Sequence, residues 1–259
     1  MQKTIFISIV SHKNEDLIIE NFIHFPKKIK EFRVVITILD NSNSKELKSS
    51  CLKNNIGYIL NERQRGFGAN HNRLFKKVNP RSEDIYIICN PDISIKPQEL
   101  YGLVKNFSSD IGSARSYLNK NKNLLDFPDR YFPYFINFII SIILRKRLHY
   151  GSNLNQQSPE WISGSFMIFK PDVFRALNGF DEGYFMYCED IDICLRAKKK
   201  NFDIKLNHAY YIEHNAKMAS RKLFSKHIIW HIKSAFRFSI KHDKIFGLTM
   251  ANKKNPIQI

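Results

Sequence analysis

Acidic residues are scarce in this sequence. It has 24 Asp and Glu against 41 Lys and Arg, which gives a formal net charge of +17 over 259 residues. Such a surplus predicts attraction to polyanions, whether nucleic acids, acidic lipid head groups or phosphorylated ligands, and charge alone does not choose among them. Hydrophobic residues make up 43% of the chain, enough for a core, and the length suits one large domain with at most a small appendage.

Cysteines are also few, and none stand in a C-x-x-C pair. The four are Cys51, Cys89, Cys188 and Cys194. Their spacing does not indicate a zinc site, and their apolar surroundings predict free thiols in a reducing compartment. The chain begins directly with a strand-like run and has no charged segment followed by a cleavage site, so we expect a cytoplasmic protein.

The sequence lacks an apolar run long enough to cross a bilayer. The best candidate, 131–144 (YFPYFINFIISIIL), falls short of the about 20 residues that a span needs. A basic trio follows it, which suits either burial in the protein or shallow insertion at an anionic interface. Residues 222–244 predict a basic amphipathic helix whose apolar stripe is either packed or turned to a membrane. The stripe consists of Phe224, Ile228, Ile232, Phe236 and Ile240.

Short apolar runs alternate with helix-like segments in the first hundred residues. The runs are 4–10, 32–39, 57–61 and 85–89. This alternation predicts a mostly parallel α/β sheet with helices on both faces, whose ligands bind at the carboxyl ends of the strands. Polar residues follow three of the runs: Ser11 and His12, Asp40 and Asn41, and Asn90 and Asp92. Their common position predicts a nucleotide-type site at one edge of the sheet.

Three of the scarce acids, Glu189, Asp190 and Asp192, lie within four positions, directly after an aromatic run. They precede a helix-like segment, 191–200, that ends in basic residues. Acids at a helix N-terminus interact favourably with the positive end of the macrodipole and cap free N–H groups, which is one explanation for the cluster. The glycine- and aromatic-rich approach also places that N-terminus at the edge of a pocket.

Residues 179–196, GFDEGYFMYCEDIDICLR, resemble the acceptor-side signature of family 2 glycosyltransferases. They are more narrowly similar to bacterial rhamnosyltransferases of lipopolysaccharide O-antigen assembly. The resemblance runs roughly from 4 to 241 and is most specific over 161–196. It implies a GT-A fold with a nucleotide-sugar-binding half (1–110) and an acceptor-binding, catalytic half (111–215) of the same domain. The rest, 216–259, is the basic amphipathic segment, expected to associate with a membrane.

The resemblance also implies roles for the acids. Asp190 corresponds to the general base of an inverting displacement. Asp92 takes the Asp-x-Asp position, where a carboxylate holds Mg²⁺ or Mn²⁺ against the donor diphosphate. Asn90 replaces the first acid of that motif, although Asn-Pro-Asp is familiar in the rhamnosyltransferase-like branch. His214 corresponds to a histidine that reaches the metal or the diphosphate in many relatives, whereas a lone histidine is usually structural.

The remaining site residues follow from the same comparison. Ser11, His12, Asp40 and Asn41 would line the donor's base and ribose, and a plain turn is the alternative for Asp40. Arg65 and the stretch Gly66, Phe67 and Gly68, before a helix expected from Asn70, would approach the phosphates, although glycine pairs often serve only as turns. Trp161, Gly164, Ser165 and Glu189 would form the acceptor pocket, with simple core as the alternative for Trp161. Arg221 would assist at the diphosphate.

The resemblance implies transfer of L-rhamnose from dTDP-L-rhamnose to an N-acetylhexosamine on undecaprenyl diphosphate, at the inner face of the cytoplasmic membrane. Another nucleotide sugar, such as a hexose or galactofuranose donor, is the first alternative. A basic nucleic-acid-binding protein is a distant one, and we expect no nucleic-acid partner because no helix-turn-helix, zinc-finger or RNP-like pattern occurs. A catalytically inactive sugar-nucleotide-binding module would lack an acid at Asp92 or Asp190, and both are present.

Overall fold

The structure is a computed structural model that describes residues 2–119, 124–126, 130–144, 159–214 and 226–245. Its strands are β1 (Thr4–Ser11), β2 (Lys28–Ile29), β3 (Phe32–Asp40), β4 (Gly57–Leu60), β5 (Ile85–Cys89), β6 (Ile93–Ser94), β7 (Ile111–Asn119), β8 (Leu124–Asp126), β9 (Phe166–Phe169) and β10 (Ile204–His214). Its helices are α1 (Glu15–Phe22), α2 (Lys45–Lys53), α3 (Phe67–Val78), α4 (Pro97–Lys105), α5 (Phe135–Leu144), α6 (Pro171–Ala176), α7 (Glu189–Lys199) and α8 (Lys226–Lys241).

The described strands form one sheet in the order β2-β3-β1-β5-β9-β7-β10-β6, with β4 beside β3 and β8 beside β7. β3, β1 and β5 run parallel, as the alternation of strands and helices predicted. β9 lies between β5 and β7 and is antiparallel to both. β7 and β10 are again parallel. The α/β fold is therefore confirmed, and the inserted antiparallel strand brings a loop of the second half to the strand ends of the first.

Two apolar layers cover the two faces of the sheet. In β5, Ile85 and Ile87 point into one layer and Tyr86 and Ile88 into the other, because side chains alternate along a strand. The first layer packs the sheet against α1, α2 and α4. The second packs it against α3, α6, α7 and parts of α5 and α8. Burial on both faces explains why the central strands read as continuous apolar runs.

The boundary expected after residue 110 falls between α4 and β7, and the sheet continues across it. The amphipathic helix expected over 222–244 appears as α8. No helix in the described part of the chain is both long and apolar enough to cross a membrane.

Helix α3 begins earlier than predicted. The sequence suggested a start at Asn70, but the helix starts at Phe67 with Gly66 as its N-cap. The prediction was wrong because it treated the glycines as a loop. Gly66 has an extended backbone (φ −68°, ψ 166°) and Gly68 is already helical.

Candidate active site

The topology brings several of the predicted site residues to one edge of the sheet. The carboxyl ends of β1, β3, β5 and β10 lie at this edge, since these strands share one direction. β9 runs the opposite way, so its amino end, preceded by 163–165, meets them there. Ligands of α/β proteins bind at such an edge. The structure thereby assembles residues from both halves of the chain.

Asp92 and His214 form one corner of this edge. β6 pairs with β10 so that His214 lies opposite Ile93, the residue after Asp92. The Nε2 atom of His214 is 3.6 Å from Oδ2 of Asp92, and Oδ1 of Asp92 is buried without a hydrogen-bond partner. Carboxylate oxygen and imidazole nitrogen are ligands suited to Mn²⁺, and the carboxylate also suits Mg²⁺. In the described residues no group of three or more His, Cys, Asp or Glu could hold a metal ion.

Asp190 lies in the first turn of α7, and two backbone N–H groups hold its carboxylate. The N–H of Gly164 donates to Oδ2 and that of Ile191 to Oδ1, each at 2.9 Å. Burial raises the pKa of Asp190 above its ordinary value, while the Gly164 hydrogen bond and the charge of Arg130 oppose that shift. A carboxylate with a raised pKa is a stronger base, which suits proton abstraction from a hydroxyl.

Two hydrogen bonds connect the Asp92 corner to Asp190. The N–H of Asn90 donates to the carbonyl of Ser165 at 2.8 Å, and the neighbouring Gly164 donates to Asp190. Gly164 packs closely against the acid, since an added Cβ would lie 3.3 Å from Cβ of Asp190 and would require a shift of a few tenths of an ångström. The loop 163–165 therefore fixes the position of the carboxylate relative to the end of β5.

The residues before α7 adopt a backbone conformation that the sequence did not signal. Tyr187 and Cys188 have φ values of 72° and 65°, a left-handed region that costs non-glycine residues free energy. The hydroxyl of Tyr187 lies 2.9 Å from Nδ1 of His227 on α8, in a hydrogen bond whose direction depends on the histidine tautomer. Burial and the charge of Glu189 raise the pKa of Tyr187 to about 12, so its hydroxyl stays protonated. This turn sets the direction in which α7 begins, and thereby the position of Asp190 in its first turn.

The neighbouring acids have different surroundings. Glu189 is buried, and its Oε2 atom has no hydrogen-bond partner. Burial, and then the charge of Asp190, raise the pKa of Glu189 well above its usual value. Burial alone would raise the pKa of Asp192 too, but contacts with His242, Arg196 and Lys241 hold it well below the ordinary range. Asp192 is thus a structural link between α7 and α8.

The glycines of the stretch at 66–68 serve close packing. A Cβ on Gly66 would lie 2.4 Å from the carbonyl oxygen of Phe185, and one on Gly68 would lie 2.7 Å from Cβ of Phe180. The N–H of Phe67 donates to the same Phe185 carbonyl at 3.0 Å. These glycines therefore dock α3 against the segment before α7. The expected phosphate contacts of Arg65, Gly66, Phe67 and Gly68 stay a prediction.

The donor-side residues shape the loops at the ends of β1 and β3. Both carboxylate oxygens of Asp40 accept hydrogen bonds, from Ser42, Asn43, Ser44 and Tyr58. Burial would raise the pKa of Asp40, but these bonds bring it below its ordinary value. Asp40 is thus the centre of a turn, the alternative that the sequence had left open, and its contact with the donor stays a prediction.

Asn41, Ser11 and His12 lie beside that turn. The side chain of Asn41 donates to the carbonyl of Arg65 and accepts from its N–H, at 3.0 and 3.3 Å. The hydroxyl of Ser11 is buried without a hydrogen-bond partner, and the ring of His12 lies 3.4 Å from the amide of Gln64. An unpartnered buried hydroxyl at a strand end agrees with a ligand-binding edge.

Trp161 is buried, and its indole N–H donates to the carbonyl of Tyr131. The guanidinium of Arg130 lies over its ring at 4.6 Å, so the structure favours the core alternative for this tryptophan over an open sugar platform. Arg130 was not predicted as a site residue, since a single arginine in a basic chain does not stand out in the sequence. Ser165 lies in the loop 163–165 and accepts the hydrogen bond from Asn90. Arg221 lies outside the described residues.

This architecture is the GT-A fold of nucleotide-sugar-dependent glycosyltransferases. A solved structure of similar fold is a mannosyltransferase from Pyrobaculum calidifontis in complex with GDP-mannose and Mn²⁺, with a TM-score of 0.61 and 12% identity. The similarity covers 93% of this chain but only 65% of that protein. At such low identity the likeness shows the fold alone.

Curated relatives specify the family. The chain is 32% identical over 245 residues to the rhamnosyltransferase WbbL of Escherichia coli K12, covering 90% of this chain and 92% of WbbL. It is 35% identical over 79 residues, 30% of the chain and 25% of the relative, to an N-acetylglucosaminyl-diphospho-decaprenol L-rhamnosyltransferase of Mycobacterium tuberculosis. No known family model matches the sequence. The chain belongs to the rhamnosyltransferase-like members of glycosyltransferase family 2.

Proposed function

We propose that this glycosyltransferase moves L-rhamnose from dTDP-L-rhamnose to an N-acetylhexosamine on undecaprenyl diphosphate, with inversion at the anomeric carbon. Two rhamnosyltransferases among its relatives support the sugar, and the mycobacterial one acts on a polyprenyl-diphosphate-linked N-acetylglucosamine by its name. The observation that carries the proposal is a pair of hydrogen bonds: Asn90, two residues before Asp92, donates to the carbonyl of Ser165, and the neighbouring Gly164 donates to Asp190. They join a donor-phosphate corner to a base.

The reaction needs one displacement. The acceptor hydroxyl oxygen forms a bond to the anomeric carbon while the bond from that carbon to the diphosphate oxygen breaks. The hydroxyl proton passes to the carboxylate of Asp190, and the nucleoside diphosphate leaves with the bonding electrons. Attack and departure on opposite faces invert the configuration. A placed general base contributes about 10²–10⁴-fold to such a step.

Asp92 and His214 would hold a divalent cation. The buried Oδ1 of Asp92 has no partner in the protein, and such an orphaned oxygen is what a cation or its ligand would satisfy. A pair of side chains would suit Mg²⁺, which proteins usually bind through one or two side-chain ligands together with substrate phosphates and water. When bound, the ion neutralises charge that develops on the leaving diphosphate.

The proposed acceptor implies where in the cell the enzyme works. A sugar on a polyprenyl diphosphate lies at the surface of the membrane that holds the lipid, so the enzyme has to work there. Peripheral attachment at the inner face of the cytoplasmic membrane agrees with a net charge of +17 and with anionic head groups on that leaflet.

The test is release of nucleoside diphosphate from a panel of nucleotide sugars, with synthetic lipid-linked N-acetylglucosamine as acceptor and with or without Mg²⁺ or Mn²⁺. We expect metal-dependent release from dTDP-L-rhamnose. Release from another donor alone would refute the proposed sugar and keep the mechanism. Turnover that is the same after chelation would refute the metal site.

The base is tested with Asp190→Asn, which preserves shape but removes the proton acceptor. We expect turnover to fall about 10²–10⁴-fold with donor affinity unchanged. Asp172→Asn is the matched control, because Asp172 is an exposed acid on α6, remote from the sheet edge. Near-normal turnover in Asp190→Asn would overturn the assignment.

A further inference from the structure

Helix α8 exposes an apolar stripe. Ile229, Ile232, Phe236 and Ile240 follow helical spacing, and their side chains are 56%, 39%, 50% and 51% exposed. Ile136 of α5 is 40% exposed, and the rings of its neighbour Phe135 and of Phe236 lie 5.8 Å apart. These five residues form the docking face. Of the stripe predicted from the sequence, Ile232, Phe236 and Ile240 are exposed, so the packed alternative is wrong for these three. Ile228 is half-buried, and Phe224 lies outside the described residues.

The opposite side of α8 fills the core. Ala235 and Phe238 are buried there, and His242 is buried directly after the helix. The helix is thus apolar on two sides, and its core side alone accounts for its position in the fold. A monomeric protein seldom exposes contiguous large apolar side chains unless they contact a membrane or a partner.

The charges around the docking face indicate which kind of partner it would bind. Residues 226–241 contain Lys226, Lys233, Arg237 and Lys241 and no acid. Asp181 pairs with two of these cations, and Lys233 is exposed beside the stripe. Two copies of this face would bring like charges together in a protein of net charge +17, which opposes self-association. Apolar side chains flanked by cations fit the interface of an anionic bilayer.

The same helix holds the loop that carries the base. The hydroxyl of Ser234 donates to the carbonyl of Met186 at 2.8 Å, and the rings of Phe185 and Trp230 lie 4.9 Å apart. Tyr187 contacts His227, as described above. The protein-facing side of α8 therefore supports the left-handed turn before Asp190, while its other side is exposed among the residues that the structure describes.

We propose that the docking face inserts shallowly into an anionic bilayer and presents the acceptor side of the active site to the membrane surface. The proposal rests on the proposed function only for the identity of the acceptor, since lipid binding itself needs no sugar transfer. Lipid would cover the isoleucines and Phe236, and a phosphate head group would pair with the exposed Lys233.

Co-sedimentation with vesicles tests the docking face. The probes are vesicles of phosphatidylcholine and phosphatidylglycerol in equal parts, and vesicles of phosphatidylcholine alone. We expect binding to the anionic vesicles that weakens in high salt, and a loss of roughly tenfold or more in the double variant Ile229→Asp, Ile240→Asp. Leu52→Asp is the matched control, because Leu52 on α2 is 64% exposed and lies on another element. Lys233→Glu should weaken binding by a smaller factor.

Unchanged vesicle binding in the folded double variant would overturn the proposal. So would a concentration-dependent dimer that the double variant abolishes, since the face would then be covered by a second copy. A water-soluble short-chain acceptor separates docking from catalysis: the double variant should retain turnover on it and lose turnover on vesicle-embedded acceptor. Vesicle binding by a wild-type protein that transfers no sugar would refute the proposed function and leave the docking face standing.

Discussion

Replacing Gly66 with alanine would test how closely α3 packs against the segment before the base. Backbone strain is not at issue, because φ −68° and ψ 166° are open to alanine. The added Cβ would instead lie 2.4 Å from the carbonyl oxygen and 2.8 Å from Cα of Phe185. Backbone atoms cannot rotate away, so the segment and the helix must separate.

The cost follows from two effects. Overpacking costs about 1–3 kcal/mol, and stretching the bond from Phe67 N–H to the Phe185 carbonyl forfeits about 0.5–1.5 kcal/mol. Alanine's lower entropy in the unfolded chain returns about 0.4–1 kcal/mol. We expect a net loss of roughly 2 kcal/mol, which for a chain of this size lowers Tm by about 4–8 °C. Turnover should fall as well, because the displaced segment leads directly to Asp190.

Thermal melting of Gly66→Ala beside Gly183→Ala measures this. Gly183 lies in the same segment, but the atoms nearest to its added Cβ belong to the guanidinium of Arg237, the far end of an exposed and flexible side chain. We expect that variant to melt within about 2 °C of the wild type, since surface changes usually stay within 0.5 kcal/mol. Equal melting temperatures for Gly66→Ala and the wild type would show that α3 and the segment are not in contact.

Three further predictions concern the base and its neighbours. Glu189→Gln should raise the free energy of unfolding at neutral pH by about 1–3 kcal/mol, because it removes a buried carboxylate with an unpartnered oxygen. Since the folded-state pKa of Glu189 is raised, this gain should vanish in acid, below the ordinary pKa of glutamate, as melting curves against pH would show. The value of kcat/KM should fall in acid as Asp190 becomes protonated. This fall should occur at a pH above the ordinary pKa of aspartate, and Asp190→Asn should not show it. Gly164→Ala should lower kcat by about tenfold or less with the donor KM unchanged, since its Cβ pushes on Asp190 by a few tenths of an ångström; an unchanged kcat would contradict the proposed contact.

The sequence was most informative where burial and periodicity coincide. The runs at 4–10, 32–39, 57–61 and 85–89 are all strands in the structure. In β1, β3 and β5 burial on both faces leaves a continuous apolar signal, whereas β4 is a short, half-exposed strand beside β3. β7 gave no such signal. Its sequence, IGSARSYLN, is rich in small and polar residues, and the hydroxyl of Ser113 donates to the carbonyl of Phe166 inside the sheet. A strand that satisfies its polar groups internally looks like a linker.

Part of the site could not be predicted from local sequence patterns. Asp92 and His214 were paired in advance only through the resemblance, and the structure gives the physical reason, since β6 and β10 are neighbours. The left-handed turn at Tyr187 and Cys188 carries no glycine or asparagine to signal it. Its support comes from His227, forty residues further along the chain, and from other contacts with α8. Long-range contacts of this kind have no local pattern.

Asp192 has a consequence for how this family can vary. Its carboxylate is fully buried and meets Arg196, Lys241 and His242. Removing one partner of a buried charge pair costs about 3–5 kcal/mol, and here the loss would leave the positive charges of Arg196 and Lys241 without this buried counter-ion. No single substitution at this position is therefore neutral. Relatives that lack the acid should also lack the cations that face it, at the positions of Arg196 and Lys241, so these positions would change together during evolution.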